Sequence, residues 1–242
     1  MARPGRPPQD PARQLERAHR ILDAAAELIL RWGYDKTTIE DVARAAGVAK
    51  GTIYLHWKTR DALFVALLRR DRVRMVRQVR AAAPGTLPEL IGALTTALLR
   101  RPLTRAAVVG DSQMLGKLTR QKLESGGATE GAAAFDRYLD ELAALGAVRS
   151  DLGADEGLAL VTALLYGFLV PQGMRPEEWR LPDERVAELV ADAVGRTLGT
   201  GAPPDPGVAR ATRACLDAIE EIACRKLAGS LGVAALPEPK ET

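Results

Sequence analysis

The chain has 242 residues, 47% hydrophobic, 27% charged and only 4% aromatic. That length and apolar content supply one large or two modest cores and exclude a disordered composition, while abundant Ala and Leu with few aromatics point to an all-α fold class. The net charge of +3 is unevenly spread: residues 1–80 hold 17 Lys/Arg and 9 Asp/Glu, a balance of +8, and residues 81–242 hold 17 and 22, a balance of −5. A basic N-terminal third suits a polyanionic partner, with a different task for the acidic remainder.

Residues 1–14 form a basic arm rich in Pro4, Pro7, Pro8 and Pro11 with Arg3, Arg6 and Arg13. Such a composition predicts a mobile segment, either a solvated tail or an arm that touches phosphates or a minor groove. A first helix is expected from about Leu15 to Trp32, where Leu15, Ala18, Leu22, Ala25, Ile29 and Trp32 recur at alternating spacings of three and four. Gly33 ends it. Thr38 then offers an N-cap, and Asp41 three residues on completes a near-match to a capping box. Ile39, Val42, Ala43 and Ala46 follow at helical spacing, Gly47 turns the chain, and a second short helix is expected from Lys50 to His56 with Ile53 and Trp57 inward. Two short helices joined by one glycine follow the logic of a helix-turn-helix, whose second helix presents polar tips to a major groove.

A fourth helix is expected from Thr59 to about Ala83. Arg69, Arg70, Arg72, Arg74, Arg77 and Arg80 crowd its second half, either as a solvated face or as a source of long-range attraction to DNA. Pro84-Gly85 marks a boundary between residues 15–83 and residues 84–235. Beyond it, helices are expected at Leu87 to Arg100, Leu103 to Arg120, Thr129 to Leu145, Asp155 to Val170, Pro182 to Leu198 and Pro206 to Gly229, separated by Gly, Pro or Asp.

Much chemistry is missing. His19 and His56 are the two histidines and neither sits in a Cys/His cluster, so no metal and no cofactor are expected. There is no GxSxG, P-loop or dinucleotide glycine pattern, so an enzyme is not expected. Cys215 and Cys224 lie nine residues apart and point to opposite sides of one helix, so they do not bridge each other. They read as buried thiols in a reducing compartment, with a redox switch as the alternative. The N-terminus lacks the apolar core of a signal peptide, and Leu158–Val170 is too short to span a bilayer, which predicts a cytoplasmic protein.

The residues Ile21-Leu22-Asp23-Ala24-Ala25, Gly33-Tyr34, Thr37-Thr38-Ile39, Val42-Ala43, Ala46-Gly47-Val48, Gly51-Thr52-Ile53-Tyr54, His56-Trp57 and Asp61-Ala62-Leu63 keep fixed offsets without a gap. Over roughly residues 17 to 65 the chain resembles the TetR family of transcriptional regulators. It departs from the family pattern at Ala49, where a Ser or Thr cap is usual, at Arg60 in place of Lys, and at Trp57 in place of Phe. Position by position, the resemblance implies that Thr38 holds a phosphate, that Lys50 reaches a base edge such as guanine O6/N7, that Thr52 contacts a thymine methyl or a base polar group, and that Gly51 belongs to the DNA-binding set. It also implies that Tyr54 and His56 position the DNA backbone and that Lys58 and Arg60 neutralise phosphates.

For residues 84–235 the resemblance implies an effector-binding and dimerisation domain. Leu158–Val170 is apolar around almost its whole circumference and must be covered on every side. Leu98, Met114, Phe135, Tyr138, Leu164, Phe168 and Trp179 are the candidate lining of a pocket for a small apolar or amphipathic effector. Helices 155–170 and 182–198 are the candidate homodimer interface, with Ala187, Ala191 and Gly195 as a ridge of small residues and Val186, Val190 and Val194 alongside it; the alternative is that the ridge packs inside one subunit against the helix 206–229. The expected protein is a ligand-responsive DNA-binding regulator, most simply a repressor acting on a palindromic operator. The rival readings are an architectural DNA-binding protein without an effector and a small helical enzyme.

Overall fold

The computed structural model describes residues 10–115, 127–174, 176–203 and 205–236. Helices account for the regular structure, and among the described residues the sole β-type pairing is an isolated antiparallel bridge between Val148 and Gly199. None of the described helices is long and apolar enough to cross a membrane.

The first helix, α1 (Pro11–Trp32), starts four residues before the expected Leu15. Asp10 accepts a hydrogen bond from the Ala12 N–H, and Pro11, which has no N–H to satisfy, occupies the first turn. Residues 11–14 are therefore helix rather than arm; residues 1–9 lie outside the described residues. The apolar stripe holds in its middle, where Ala18, Ile21, Leu22, Ala25 and Ile29 are buried. It fails at its end: Trp32 is 40% exposed, with the Arg31 guanidinium 5.8 Å from its ring centre.

Next come α2 (Ile39–Ala45), α3 (Lys50–His56) and α4 (Arg60–Ala81). The capping box forms as expected: the Asp41 N–H donates to Thr38 Oγ1 and the Thr38 N–H to Asp41 Oδ2. Gly47 takes a left-handed φ of +64°, which lets α3 follow α2 so closely. Ala49 gives α3 no side-chain cap, and the helix is held by its buried residues instead.

The C-terminal part contains α5 (Leu87–Leu99), α6 (Pro102–Val109), α7 (Ser112–Leu115), α8 (Gly127–Ala144), α9 (Ala154–Met174), a 3-10 turn (Glu177–Trp179), α10 (Asp183–Leu198) and α11 (Pro206–Leu231). The single helix expected from Leu103 to Arg120 is broken by Gly110 in a left-handed conformation (φ 73°); its stretch 116–120 lies outside the described residues. Helix α9 runs past the expected stop at Pro171 to Met174.

Two apolar cores share α4. The N-terminal core joins α1–α4 and also takes Leu103 and Ala106 from α6 and Leu115 from α7. The C-terminal core joins Met75, Val76 and Val79 of α4 to α5 and α8–α11. Each fully buried Val or Leu contributes about 1.5–3 kcal/mol.

The small-residue ridge on α10 is corrected by its neighbours. Val186, Val190 and Val194 are completely buried within the single chain, against α5. A Cβ built on Gly92 of α5 would lie 3.3 Å from the Ala191 Cβ, and one on Gly195 would lie 3.2 Å from Pro88. The ridge of Val186, Ala187, Val190, Ala191, Val194 and Gly195 is thus an internal seam, where small side chains let α5 and α10 approach closely.

Part of the arginine run on α4 is engaged within the chain, although Arg72, Arg74 and Arg80 stay exposed. Arg70 pairs with Asp23 of α1 at 2.8 Å and donates to the His19 carbonyl at 2.9 Å. Arg77 and Arg80 reach Glu220 of α11, both at 2.9 Å, and Arg69 reaches the Lys226 carbonyl and Ser230 Oγ. These four side chains fasten α4 to α1 and α11.

Candidate nucleic-acid interface and effector domain

Helix α3 is fixed from behind. Ile53 and Trp57 are buried, and Trp57 Nε1–H donates to the Ser230 carbonyl at 2.9 Å, tying the end of α11 to the helix-turn-helix. At about 100° per residue, the direction opposite Ile53 and Trp57 passes through Leu55, with Gly51 about 40° to one side and Thr52 about 60° to the other. Accordingly Leu55 is 64% exposed, Gly51 is exposed, and Tyr54 is 39% exposed.

The sequence-predicted contacts other than His56 fall into three groups. Gly51, Thr52, Tyr54 and Lys58 lie on or beside this outward face, and Lys58 has no acidic partner among the described residues. Thr38 and Lys50 are exposed but engaged within the protein. The Thr38 hydroxyl donates to Asp41 at 2.6 Å, which holds the Asp41 carboxyl below the usual carboxylate range. Lys50 Nζ donates to Glu40 of α2; that bond raises the lysine pKa and lowers the glutamate's. Lys50 lies toward α2, away from the outermost line of α3.

Arg60 forms the third group and is also engaged within the protein. Its guanidinium stacks 4.2 Å from the Tyr34 ring centre and donates to the Thr37 carbonyl at 3.2 Å. Tyr34 is itself buried, meets Phe64 edge-on at 5.0 Å, and donates its hydroxyl to Asp61. Burial first, and then the Asp61 bond, push the Tyr34 pKa up to about 12. Arg60 therefore braces the turn between α1 and α2.

His56 is half-buried with its ring against Trp57. Burial, and then the positive charge of Arg17, hold its pKa below the ordinary 6.5, so it is a neutral imidazole at pH 7. The nearness of Arg17 brings a second cation to this end of α3, which the helical period of α1 alone did not single out.

The seven candidate pocket residues do not form one group. Leu98 and Tyr138 are buried in the C-terminal core, with Phe135, Leu164 and Phe168 packed around them. Phe135 meets Tyr138 edge-on at 5.7 Å, and the Tyr138 hydroxyl pairs with Thr212 Oγ1 at 2.9 Å, a buried polar contact in an otherwise apolar setting. Met114 belongs to the N-terminal core, and Trp179 is 71% exposed on the 3-10 turn. A shallow cavity of about 290 Å³ lies elsewhere, lined by Leu87, Pro88, Leu142, Val148, Val194 and Val208 among others, and by none of the seven. Cys215 is buried, which pushes its thiol up to about 12, and no group of three His, Cys, Asp or Glu suited to a metal occurs among the described residues.

The half of α9 turned from the core is open. Ala159, Thr162, Ala163, Tyr166, Gly167 and Val170 form an exposed, uncharged strip. The expectation that this helix is covered on every side is met on one side within the single chain, by Val161, Leu165 and Leu169.

A helix-turn-helix packed between a bracing first helix and a larger helical domain carries the match: residues 21–67 match the family described as bacterial regulatory proteins, tetR family. The similarity to the TetR family is carried by residues 21–67. The chain is 38% identical over 78 residues to the HTH-type transcriptional repressor Rv1474c of Mycobacterium tuberculosis, a match covering 32% of this chain and 38% of that protein. It is 34% identical over 116 residues to the HTH-type transcriptional repressor KstR of Mycolicibacterium smegmatis, covering 43% and 57%. Both matches span less than two thirds of the relative's length. In fold it is similar to the regulator FadR from Bacillus subtilis in complex with stearoyl-CoA, with a TM-score of 0.60 at 20% identity over 76% of this chain and 99% of that one.

Proposed function

We propose that the chain is a dimeric repressor that binds a palindromic operator in double-stranded DNA and is released by a small apolar or amphipathic effector. The observation that carries this reading is the outward face of α3, where Gly51, Thr52, Tyr54 and Leu55 meet solvent on a helix locked from behind by Ile53 and Trp57. A short helix fixed on one side and open on the other fits a major groove. Lys58 supplies charge for phosphates, and Lys50 reaches the DNA by exchanging Glu40 for it.

The strip on α9 is the surface we assign to the second subunit, since an uncharged face of that length is otherwise left in water. Two α3 helices related by that axis would address half-sites about 34 Å apart. The effector site belongs among Phe135, Tyr138, Leu164 and Phe168, where the Tyr138–Thr212 pair offers one polar anchor in apolar surroundings. Stearoyl-CoA in the FadR neighbour is a ligand of that class. The connection to DNA runs through α6 and α7. Leu103, Ala106 and Leu115 complete the N-terminal core, and the Tyr34 N–H donates to the Met114 carbonyl at 2.9 Å, so a shift of α6 moves the frame that holds α3. As a regulator whose named relatives are repressors, it needs no catalytic group and acts where chromosomal DNA lies, in the cytoplasm.

Binding-site selection from random duplex DNA should return a palindrome whose affinity falls steeply with salt. A thermal-shift screen of hydrophobic compounds should then find stabilisers that also release that DNA. Selection of no motif, or stabilisers that leave DNA binding unchanged, would overturn the corresponding half of the reading.

A further inference from the structure

Leu55 is at odds with the rest of the chain's chemistry. Most of the large aliphatic side chains of the N-terminal domain, including Ile21, Leu22, Ile29, Ile53, Leu63 and Leu67, are buried, whereas Leu55 is 64% exposed. Among the described residues no neighbouring element covers it, and it stands at the outermost line of α3, roughly opposite Ile53 and Trp57. One turn earlier is Gly51. A Cβ built there would find nothing within 4 Å, and its φ is not in the left-handed region, so neither packing nor backbone geometry asks for glycine. In a helix, glycine costs about 0.5–1 kcal/mol relative to alanine. A glycine that the fold does not need, beside a leucine that the fold does not cover, makes a low spot next to an apolar tip.

We infer that Leu55 is a specificity-determining residue that packs against the C5-methyl group of a thymine in the major groove, with Gly51 letting the helix come close enough for the contact. This rests on the reading of α3 as the groove-facing helix and goes beyond it. Among the base edges of the major groove, the thymine methyl is the apolar feature, and an aliphatic tip without a donor or acceptor can distinguish no other. Lys50, tied to Glu40 and lying toward α2, is placed to the side of this contact.

The test begins with the palindrome that wild-type protein selects from random duplex DNA. Each thymine is then replaced by deoxyuridine, which removes the methyl alone, and binding is measured for the wild type, Leu55→Ala and Leu55→Met. At one thymine per half-site, wild-type affinity should fall about three- to tenfold for a single half-site replacement, the scale of one buried methyl. Leu55→Ala should bind the thymine site more weakly by a similar factor and show no further loss with deoxyuridine, whereas Leu55→Met, which keeps an apolar tip, should retain sensitivity to the methyl. An unchanged circular dichroism spectrum for both variants shows that the fold is intact. Equal wild-type affinity for thymine and deoxyuridine at every position, or equal methyl sensitivity in wild type and Leu55→Ala, overturns the assignment while leaving α3 as the reading helix. Failure of the wild type to select any motif overturns both.

Discussion

At the scale of single residues, charge alone does not say which cations are engaged within the chain. Arg60 matched a conserved-looking basic slot in the family pattern, yet its guanidinium lies on Tyr34 and bonds the Thr37 carbonyl. Arg60→Ala should therefore lower stability, by about 1–2 kcal/mol from the lost stacking and hydrogen bond, as read from a denaturant midpoint. It should leave the salt dependence of DNA binding unchanged; a shallower salt slope would restore Arg60 to the interface. The capping of α2 by Thr38 and Asp41 and the turn at Gly47 were legible because they are local, set by residues three or fewer positions apart. The destinations of Lys50 and Arg60 were not, since Glu40 and Tyr34 are brought to them by tertiary packing. The prominence of Leu55 was within reach of a helical wheel once Ile53 and Trp57 were placed inward, but polarity drew attention to its neighbours.

At the scale of elements, helix positions were readable and helix partners were not. The period of α10 marked Ala187, Ala191 and Gly195 as a close-approach ridge, but a ridge does not say which helix it meets. Here the partner is α5, with Gly92 opposite Ala191. Gly92→Leu should force the two helices apart and cost about 1–3 kcal/mol, without changing the oligomeric state of the folded protein. The open strip on α9 predicts the complement. Ala163→Glu places a charge at an uncharged face that a second subunit would bury, so it should sediment as a monomer with its helical circular dichroism intact and bind the operator more weakly, since the two half-sites are no longer engaged as one unit. A dimer of unchanged affinity would move the subunit interface off α9.

At the scale of the whole molecule, the charge division between the basic first third and the acidic remainder works partly as internal fastening. Arg70 of α4 holds α1 through Asp23 and the His19 carbonyl, while Arg77 and Arg80 hold α11 through Glu220. His19 sits at the first of these joints with its Nδ1 buried and, among the described residues, unpaired. Burial first, then the positive charges of Arg70 and Arg74, hold its pKa below 6.5, against a smaller opposing effect of Asp23. His56 is lowered in the same sense by burial and Arg17. A histidine with a depressed folded pKa binds its proton more readily in the unfolded chain. Stability is therefore fully present above pH 6.5 and declines as the pH falls from there toward the folded pKa. The carboxylates held low by partners, Glu40, Asp41, Glu130, Asp151 and Asp192, act in a lower window: their contribution is present above their unfolded values, near 3.8 to 4.5, and is lost only below them. Between pH 7.5 and 5.5 the two histidines thus set the slope. The denaturant midpoint of the wild type should fall across that interval, and His19→Gln should flatten the fall without steepening it anywhere above pH 5.5. A wild-type midpoint that is constant or rises on acidification would show that His19 gains a partner on protonation and that the joint between α1 and α4 does not resist the charge.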